Sequence, residues 1–324
     1  MRALTFSTFG GPEVLEYREV PAPELLPGQA LVRMHAVGLN FADVYRRRGA
    51  YHLAGSPPYI AGYEGAGTVV DLGASESAPS IQVGDRVGFA DSPYANAELV
   101  AVPLDKLIPL PDDVPFETAA SLLLQGLTAQ YLVRDSYPVA AGDDVLVHAA
   151  AGGVGLLLVQ IARRLGARFF ALASTEEKRA AALDAGATEA HASSGDWVAA
   201  ARAWSKRGTG VDVVYDSVGS TLDESLQAAR IGGHVVFYGM AGGDPQPVDP
   251  KRLMDESKTL TGGDLWNVLT DRGERIRRAE ELFGWVRDGS LRVRIAQRYP
   301  LSEGARAHAF LESRQSIGKV LLVP

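Results

Sequence analysis

An apolar run, Val145-Leu-Val-His-Ala-Ala-Ala-Gly-Gly-Val-Gly155, feeds a glycine turn and is followed by the helix-like Leu156–Leu165 and a second apolar run, Arg168–Ala173. That order predicts strand, tight turn, helix and strand. Ala150, Gly152 and Gly155 fit the dinucleotide-binding spacing G-x-G-x-x-G, with alanine in the first place. Gly152 lets backbone N–H groups approach a pyrophosphate, Gly155 lets the helix pack closely on the strand, and the helix N-terminus attracts negative charge. Gly152, Gly153, Val154 and Gly155 are therefore candidate cofactor contacts. A bare glycine turn carries little weight by itself, and it is the β-α-β setting that points to a dinucleotide.

The residues after the second strand bear on which dinucleotide. An NAD site places an Asp or Glu there to hold the ribose 2′-hydroxyl. This chain has Ser174, followed by Lys178 and Arg179. A small hydroxyl with cations one helical turn away accommodates a 2′-phosphate, which favours NADP. The competing reading makes Lys178 and Arg179 a solvated helix face beside Glu176 and Glu177.

At 324 residues the chain exceeds the size at which one hydrophobic core stops growing, so two domains are expected. A net charge of −7 without a dense basic cluster argues against nucleic acid as the main partner. Arg46-Arg-Arg48 is the one pure arginine run, and it reads as a solvated helix end. No apolar stretch is long enough for a transmembrane helix, and the start reads directly as a strand without a signal peptide, so a soluble, cytoplasmic protein is expected. The chain contains no cysteine, and its six histidines show no i, i+4 pairing, so no metal site is expected.

Along the chain, residues 1–118 hold short β-like segments between Gly/Pro turns, among them Gln29–Ala36, Gly67–Leu72, Asp85–Ala90 and Ala97–Val102, an all-β module. Ala119–Val133 then runs apolar at helical spacing. Beyond the glycine turn, strands and helices alternate: helix Lys178–Ala185, strand Val211–Asp216, helix Leu222–Ala229 and strand His234–Gly239. Such alternation gives a doubly wound parallel sheet, hence an α/β class. Arg275–Asp288 reads as a further helix, with strands at Arg292–Tyr299 and Lys319–Val323. The β module lacks an obvious closing strand, so the C-terminal strands are expected to return to it and a cleft to form between the domains. Ligands in such folds lie outside the carboxyl ends of the strands, which points to Ser217, Val218, Phe237 and Gly239.

Gly10–Leu15, Gly38–Asp43, Pro58–Gly67, His148–Gly155, Val214–Gly219 and Arg306–Arg314 together resemble the zinc-independent, zeta-crystallin-like quinone oxidoreductases of the medium-chain dehydrogenase/reductase superfamily. The likeness spans essentially the whole chain in the family's order. It implies a GroES-like β-rich catalytic domain plus a Rossmann doubly wound parallel sheet domain. Boundaries are placed at 1–122, 123–260 and 261–324, the last segment returning to the catalytic domain. NADPH is the implied cofactor, a quinone or an enone the implied substrate, and a homodimer the implied assembly.

Where zinc-dependent relatives carry metal ligands, this sequence has Asn40 in place of cysteine, and Tyr63 before Glu64 in place of histidine. Without a Lewis acid, oxidation of simple alcohols is disfavoured, whereas hydride transfer to an electron-accepting substrate remains feasible. The resemblance implies Asn40, Tyr45, Tyr51 and Gln125 around the nicotinamide. Each has a plainer role beside the functional one. Asn40 either donates to the substrate oxygen or ties its loop, and Tyr45 either touches the cofactor or packs as a core tyrosine. Tyr51 either donates or covers the cleft, and Gln125 either faces the cleft or caps a helix turn. Asn40, Tyr45, Thr128, Ser193 and Arg314 are further implied cofactor contacts, with an Arg314–Glu312 surface pair as the alternative for Arg314. Ser193 stands where relatives often carry tyrosine or histidine. A crystallin-like NADPH-binding protein with little turnover stays open as a non-enzymatic reading, and the low basicity argues against its RNA-binding version.

Overall fold

The computed structural model describes residues 1–74 and 81–324. These divide into two compact units, Thr128–Val268 and the combination of Met1–Leu127 with Leu269–Pro324.

The Thr128–Val268 unit is a sheet of six parallel strands in the order Glu189–Ala192, Arg168–Ala173, Asp144–Val147, Val211–Asp216, Ala229–Phe237, Thr259–Gly262. The first strand in sequence lies at the centre, and the order reverses beside it. Leu146, Phe170 and Val214 pack with Trp197, Leu222 and Leu226 on one face. Their neighbours Val145, Phe169 and Val213 alternate to the other face and are equally buried. Burial on both faces explains why these strands read as continuous apolar runs. The helices Gly153–Arg164 and Glu176–Asp184 pack together, as do Trp197–Trp204 and Leu222–Ala228, so helices lie in two layers.

The expected helix Ala119–Val133 instead spans Phe116–Tyr131 and runs on into a wide π-type turn, Leu132–Ser136. The Leu132 carbonyl accepts both the Tyr137 N–H, which closes the turn, and the hydroxyl of Tyr215, each at 3.2 Å. Two strands of this sheet went unread in the sequence, Glu189–Ala192 and Thr259–Gly262. They are the outermost strands, and their half-exposed polar residues give no apolar run.

In the other unit, the strand Gln29–Leu39 organises a seven-stranded sheet. Its first half pairs with Leu99–Pro103, and its last residues pair with Lys319–Val323, which in turn pairs with Ile295–Pro300. On its other side follow Gly65–Leu72, Arg86–Phe89 and Ile108–Pro109. The antiparallel register sets Val320 against Leu39, so Lys319 falls opposite Asn40. A three-stranded sheet, Glu16–Glu19, Arg2–Phe6 and Tyr59–Ile60, completes the unit.

The arginine run corrects a sequence expectation. Only Arg48 is exposed, while Arg46 and Arg47 on the helix Phe41–Arg47 are buried. Each finds what a buried guanidinium needs. Arg46 meets Asp43 at 3.3 Å and lies 3.5 Å above the Tyr63 ring. Arg47 pairs with Glu312 at 2.7 Å and donates to the Gly10 carbonyl at 3.0 Å.

Candidate active site

In the unit that carries Asn40, four side chains from separate segments form one buried polar cluster. Asn40 follows the strand Gln29–Leu39, Glu64 precedes Gly65–Leu72, Gln125 lies in the helix Phe116–Tyr131, and Lys319 opens the last strand. Lys319 Nζ donates to Glu64 Oε2 at 2.6 Å and to Asn40 Oδ1 at 2.8 Å. Asn40 Nδ2 donates to the same Glu64 oxygen at 2.8 Å and to the Gly38 carbonyl at 3.1 Å. Gln125 Nε2 donates to Asn40 Oδ1 at 3.2 Å, and the Leu124 backbone N–H donates to Glu64 Oε1 at 2.7 Å.

These bonds occupy both hydrogens and both lone pairs of the Asn40 amide. The chain itself takes every donor that Asn40 has, so the side chain ties its loop and braces its neighbours. Burial draws the Lys319 ammonium below its usual lysine pKa, and the Glu64 carboxylate pulls it back up. Burial likewise lifts the nearby Asp43 carboxyl, against the pull of Arg46. Gly38 makes the packing possible, because a Cβ there would collide with the Glu64 carboxylate and the Ala120 carbonyl.

Beside this cluster lies an aromatic group. The Tyr45 and Tyr51 rings meet edge to face with centroids 6.4 Å apart, and Arg46 lies 5.0 Å over Tyr51. Tyr63 accepts the Ala54 N–H at 2.8 Å, so its hydroxyl is anchored to the backbone. Tyr45 and Tyr51 are half-buried, with their rings fixed by neighbours.

The Thr128–Val268 unit carries its candidates at the carboxyl ends of its strands. The helix Gly153–Arg164 starts from Gly152 without a side-chain cap, leaving its first N–H groups for an anion. A Cβ on Gly155 would lie 2.6 Å from the Ala149 carbonyl, so only glycine lets the helix approach so closely. Ser174 directly follows Arg168–Ala173, and the Ser193 N–H donates to the Ala173 carbonyl at 3.3 Å. Both serines are exposed at one corner. Lys178 sits in the first turn of the adjoining helix, whose cap Thr175 accepts the Lys178 N–H at 3.2 Å. Arg179 bends back onto the Ala173 carbonyl.

Asp216, at the end of the next strand, accepts from the Val218 and Gly219 N–H groups and from the Thr221 and Ser225 hydroxyls at 2.7–3.0 Å. It thereby fixes the turn bearing Ser217. Ser217 and Val218 in turn accept N–H groups from Ala241 and Gly242, holding the loop that contains Gly239 after Phe237. Thr128 is buried, and Arg314 is exposed in a left-handed conformation with φ +58°. Glu312 Oε1, the proposed surface partner of Arg314, is held by Arg47 and Arg48.

Glu64 and Lys319 were not singled out as site residues in the sequence. The cue for Glu64 was a lone acid amid Gly62, Gly65 and Gly67. For Lys319, a cation opening an all-apolar strand reads as a solvated strand end, and only the register with Asn40 reveals otherwise. Among the described residues, no group of three or more His, Asp or Glu is placed to hold a metal ion, and no helix is long and apolar enough to cross a membrane.

Residues 26–112 match the alcohol dehydrogenase GroES-like domain family, and residues 153–279 match the zinc-binding dehydrogenase family. The chain is 39% identical to a quinone oxidoreductase of Pseudomonas aeruginosa, covering 100% of this chain and 99% of the relative. It is 37% identical to a 2-haloacrylate reductase of a Burkholderia species, covering 97% and 96%. Its structure is similar to that of Escherichia coli quinone oxidoreductase complexed with NADPH, with a TM-score of 0.95, 36% identity and full coverage of both chains.

Proposed function

The chain belongs to the quinone oxidoreductase family of the medium-chain dehydrogenases/reductases, and from that premise we propose that it reduces quinones with NADPH and without a metal ion. What supports this reading is that Ser174 and Ser193 directly follow two adjacent parallel strands, Arg168–Ala173 and Glu189–Ala192, with Lys178 in the first turn of the helix Glu176–Asp184. An acidic residue there would repel a 2′-phosphate, whereas two hydroxyls and a cation accept it. NADPH, when bound, supplies the hydride, and a quinone that takes up this hydride and a proton becomes a hydroquinone.

The chain's own residues bind and orient. Gly152, Gly153, Val154 and Gly155 leave room and N–H groups for the pyrophosphate, while Ser217, Phe237 and Gly239 line the strand ends. Thr128 and Arg314 are assigned to the cofactor on the family likeness. Tyr45 and Tyr51 are the proposed donors to negative charge developing on the substrate oxygen, and Gln125 is the proposed ligand contact beside them. Asn40 holds Gln125 in place.

Freedom from metal is supported by the cation already present. The Lys319 ammonium neutralises Glu64 beside Asn40, and a divalent ion added there would meet a buried positive charge. The same reading has the protein act in the cytoplasm as a homodimer, an assembly that light scattering tests.

The likeness to a 2-haloacrylate reductase favours a second reading, reduction of an activated carbon–carbon double bond by the same machinery. Steady-state NADPH oxidation with a panel of quinones and enones separates the two. The expected result is the highest kcat/KM with a quinone. A best substrate among the enones supports the second reading, and tight NADPH binding with no turnover on either class overturns both.

A further inference from the structure

Amide side chains can point either way, and their sense must be settled by partners that only donate or only accept. Here the partners are of that kind. The Leu124 N–H only donates, so Glu64 Oε1 accepts. The Gly38 carbonyl only accepts, and it lies 3.1 Å from one end of Asn40. The Lys319 ammonium only donates, and it lies 2.8 Å from the other end. Asn40 therefore has one admissible orientation, with Nδ2 toward Gly38 and Glu64 and Oδ1 toward Lys319.

That orientation propagates. The Gln125 atom 3.2 Å from Asn40 Oδ1 must be the amide nitrogen, which leaves Oε1 as the outer atom. Gln125 is only 9% exposed, and no described residue supplies a donor to Oε1. A buried carbonyl oxygen without a donor is costly, so this position is built for a donor brought from outside.

We propose that Lys319 is a positioning residue that sets the hydrogen-bonding sense of Asn40 and Gln125, so that Gln125 offers a carbonyl oxygen to an N–H or O–H group of the bound ligand. The inference rests on the reading of the site as one for NADPH and a quinone. That reading brings two such donors, the carboxamide of the nicotinamide and the hydroxyl of the hydroquinone product. The quinone itself offers only acceptors, so Gln125 Oε1 discriminates against the oxidised ring and toward a donor-bearing ligand.

The test is a double-mutant cycle on the full-length protein with Gln125→Ala, Lys319→Met and both together. The readouts are the dissociation constant of NADPH, that of its acetylpyridine analogue, which lacks the carboxamide N–H, and the product-inhibition constant of the hydroquinone. Gln125→Ala is expected to weaken the donor ligand about five- to tenfold, and Lys319→Met to do nearly the same. In the double variant, Lys319→Met is expected to add nothing, because its effect passes through Gln125. If the carboxamide is the donor, NADPH weakens while the analogue binds all variants alike. If the hydroquinone is the donor, NADPH affinity stays constant and the inhibition constant rises.

Gln125→Ala without effect on either ligand overturns the inference, as do effects that multiply in the double variant. Lys319→Arg, which keeps a donor, is expected to retain affinity. If Lys319→Met does not fold, Lys319→Met with Glu64→Gln removes both buried charges and takes its place in the cycle. Folded wild-type protein that binds no NADPH and reduces no quinone overturns the underlying reading as well. Normal wild-type behaviour with an indifferent Gln125→Ala overturns this inference alone.

Discussion

Nη1 of Arg47 lies 3.1 Å from Nδ1 of His308, and both side chains are fully buried. Arginine only donates, so Nδ1 accepts and the imidazole is neutral. Burial first, and Arg47 second, push the His308 pKa down to about 3 from its ordinary 6.5. Between those values the unfolded chain takes up a proton that the folded protein refuses. The stability that His308 contributes is thus complete above its unfolded pKa and is lost as pH falls toward the folded value. The expected loss is about 2 kcal/mol between pH about 7 and about 5. His308→Gln, which keeps an acceptor for Arg47, should flatten that dependence. Urea midpoints of both proteins at the two pH values check it, and equal slopes would contradict it.

Lys178→Ala tests the NADPH corner. The substitution should weaken NADPH by about 1–3 kcal/mol and leave NADH nearly unchanged, because only NADPH carries the 2′-phosphate. Titration of both nucleotides at one ionic strength decides it. An equal loss for both would assign Lys178 to a part of the cofactor they share.

Ala149 adopts φ +48°, a left-handed conformation that an alanine side chain disfavours. Ala149→Gly is therefore expected to stabilise the folded protein by about 0.5–1 kcal/mol, after the extra freedom of glycine in the unfolded chain is set against the strain it removes. A rise in melting temperature checks this, and a fall would contradict it.

In the parallel sheet, the strands read from the sequence are those buried on both faces, such as Arg168–Ala173 and Val211–Asp216, because an apolar run records double burial directly. Glu189–Ala192 and Thr259–Gly262 escaped because an edge strand needs no such run. The glycine turn was legible, but Ala149, one residue before the Ala150 of the motif, takes the left-handed conformation. The polar cluster was least legible. Lys319 lies 279 residues from Asn40 and 255 from Glu64, and Arg47 lies 265 from Glu312. Pairings at such separations leave no local period, so buried charges read as surface charges until strand register brings their partners together.

The central claim is most directly tested by the rate at which purified protein, exhaustively treated with chelator, oxidises NADPH with a para-benzoquinone as acceptor, compared with the rate with NADH. Turnover is expected to survive chelation, with a higher kcat/KM for NADPH than for NADH. Loss of activity on chelation that returns with zinc, or a preference for NADH, would contradict it.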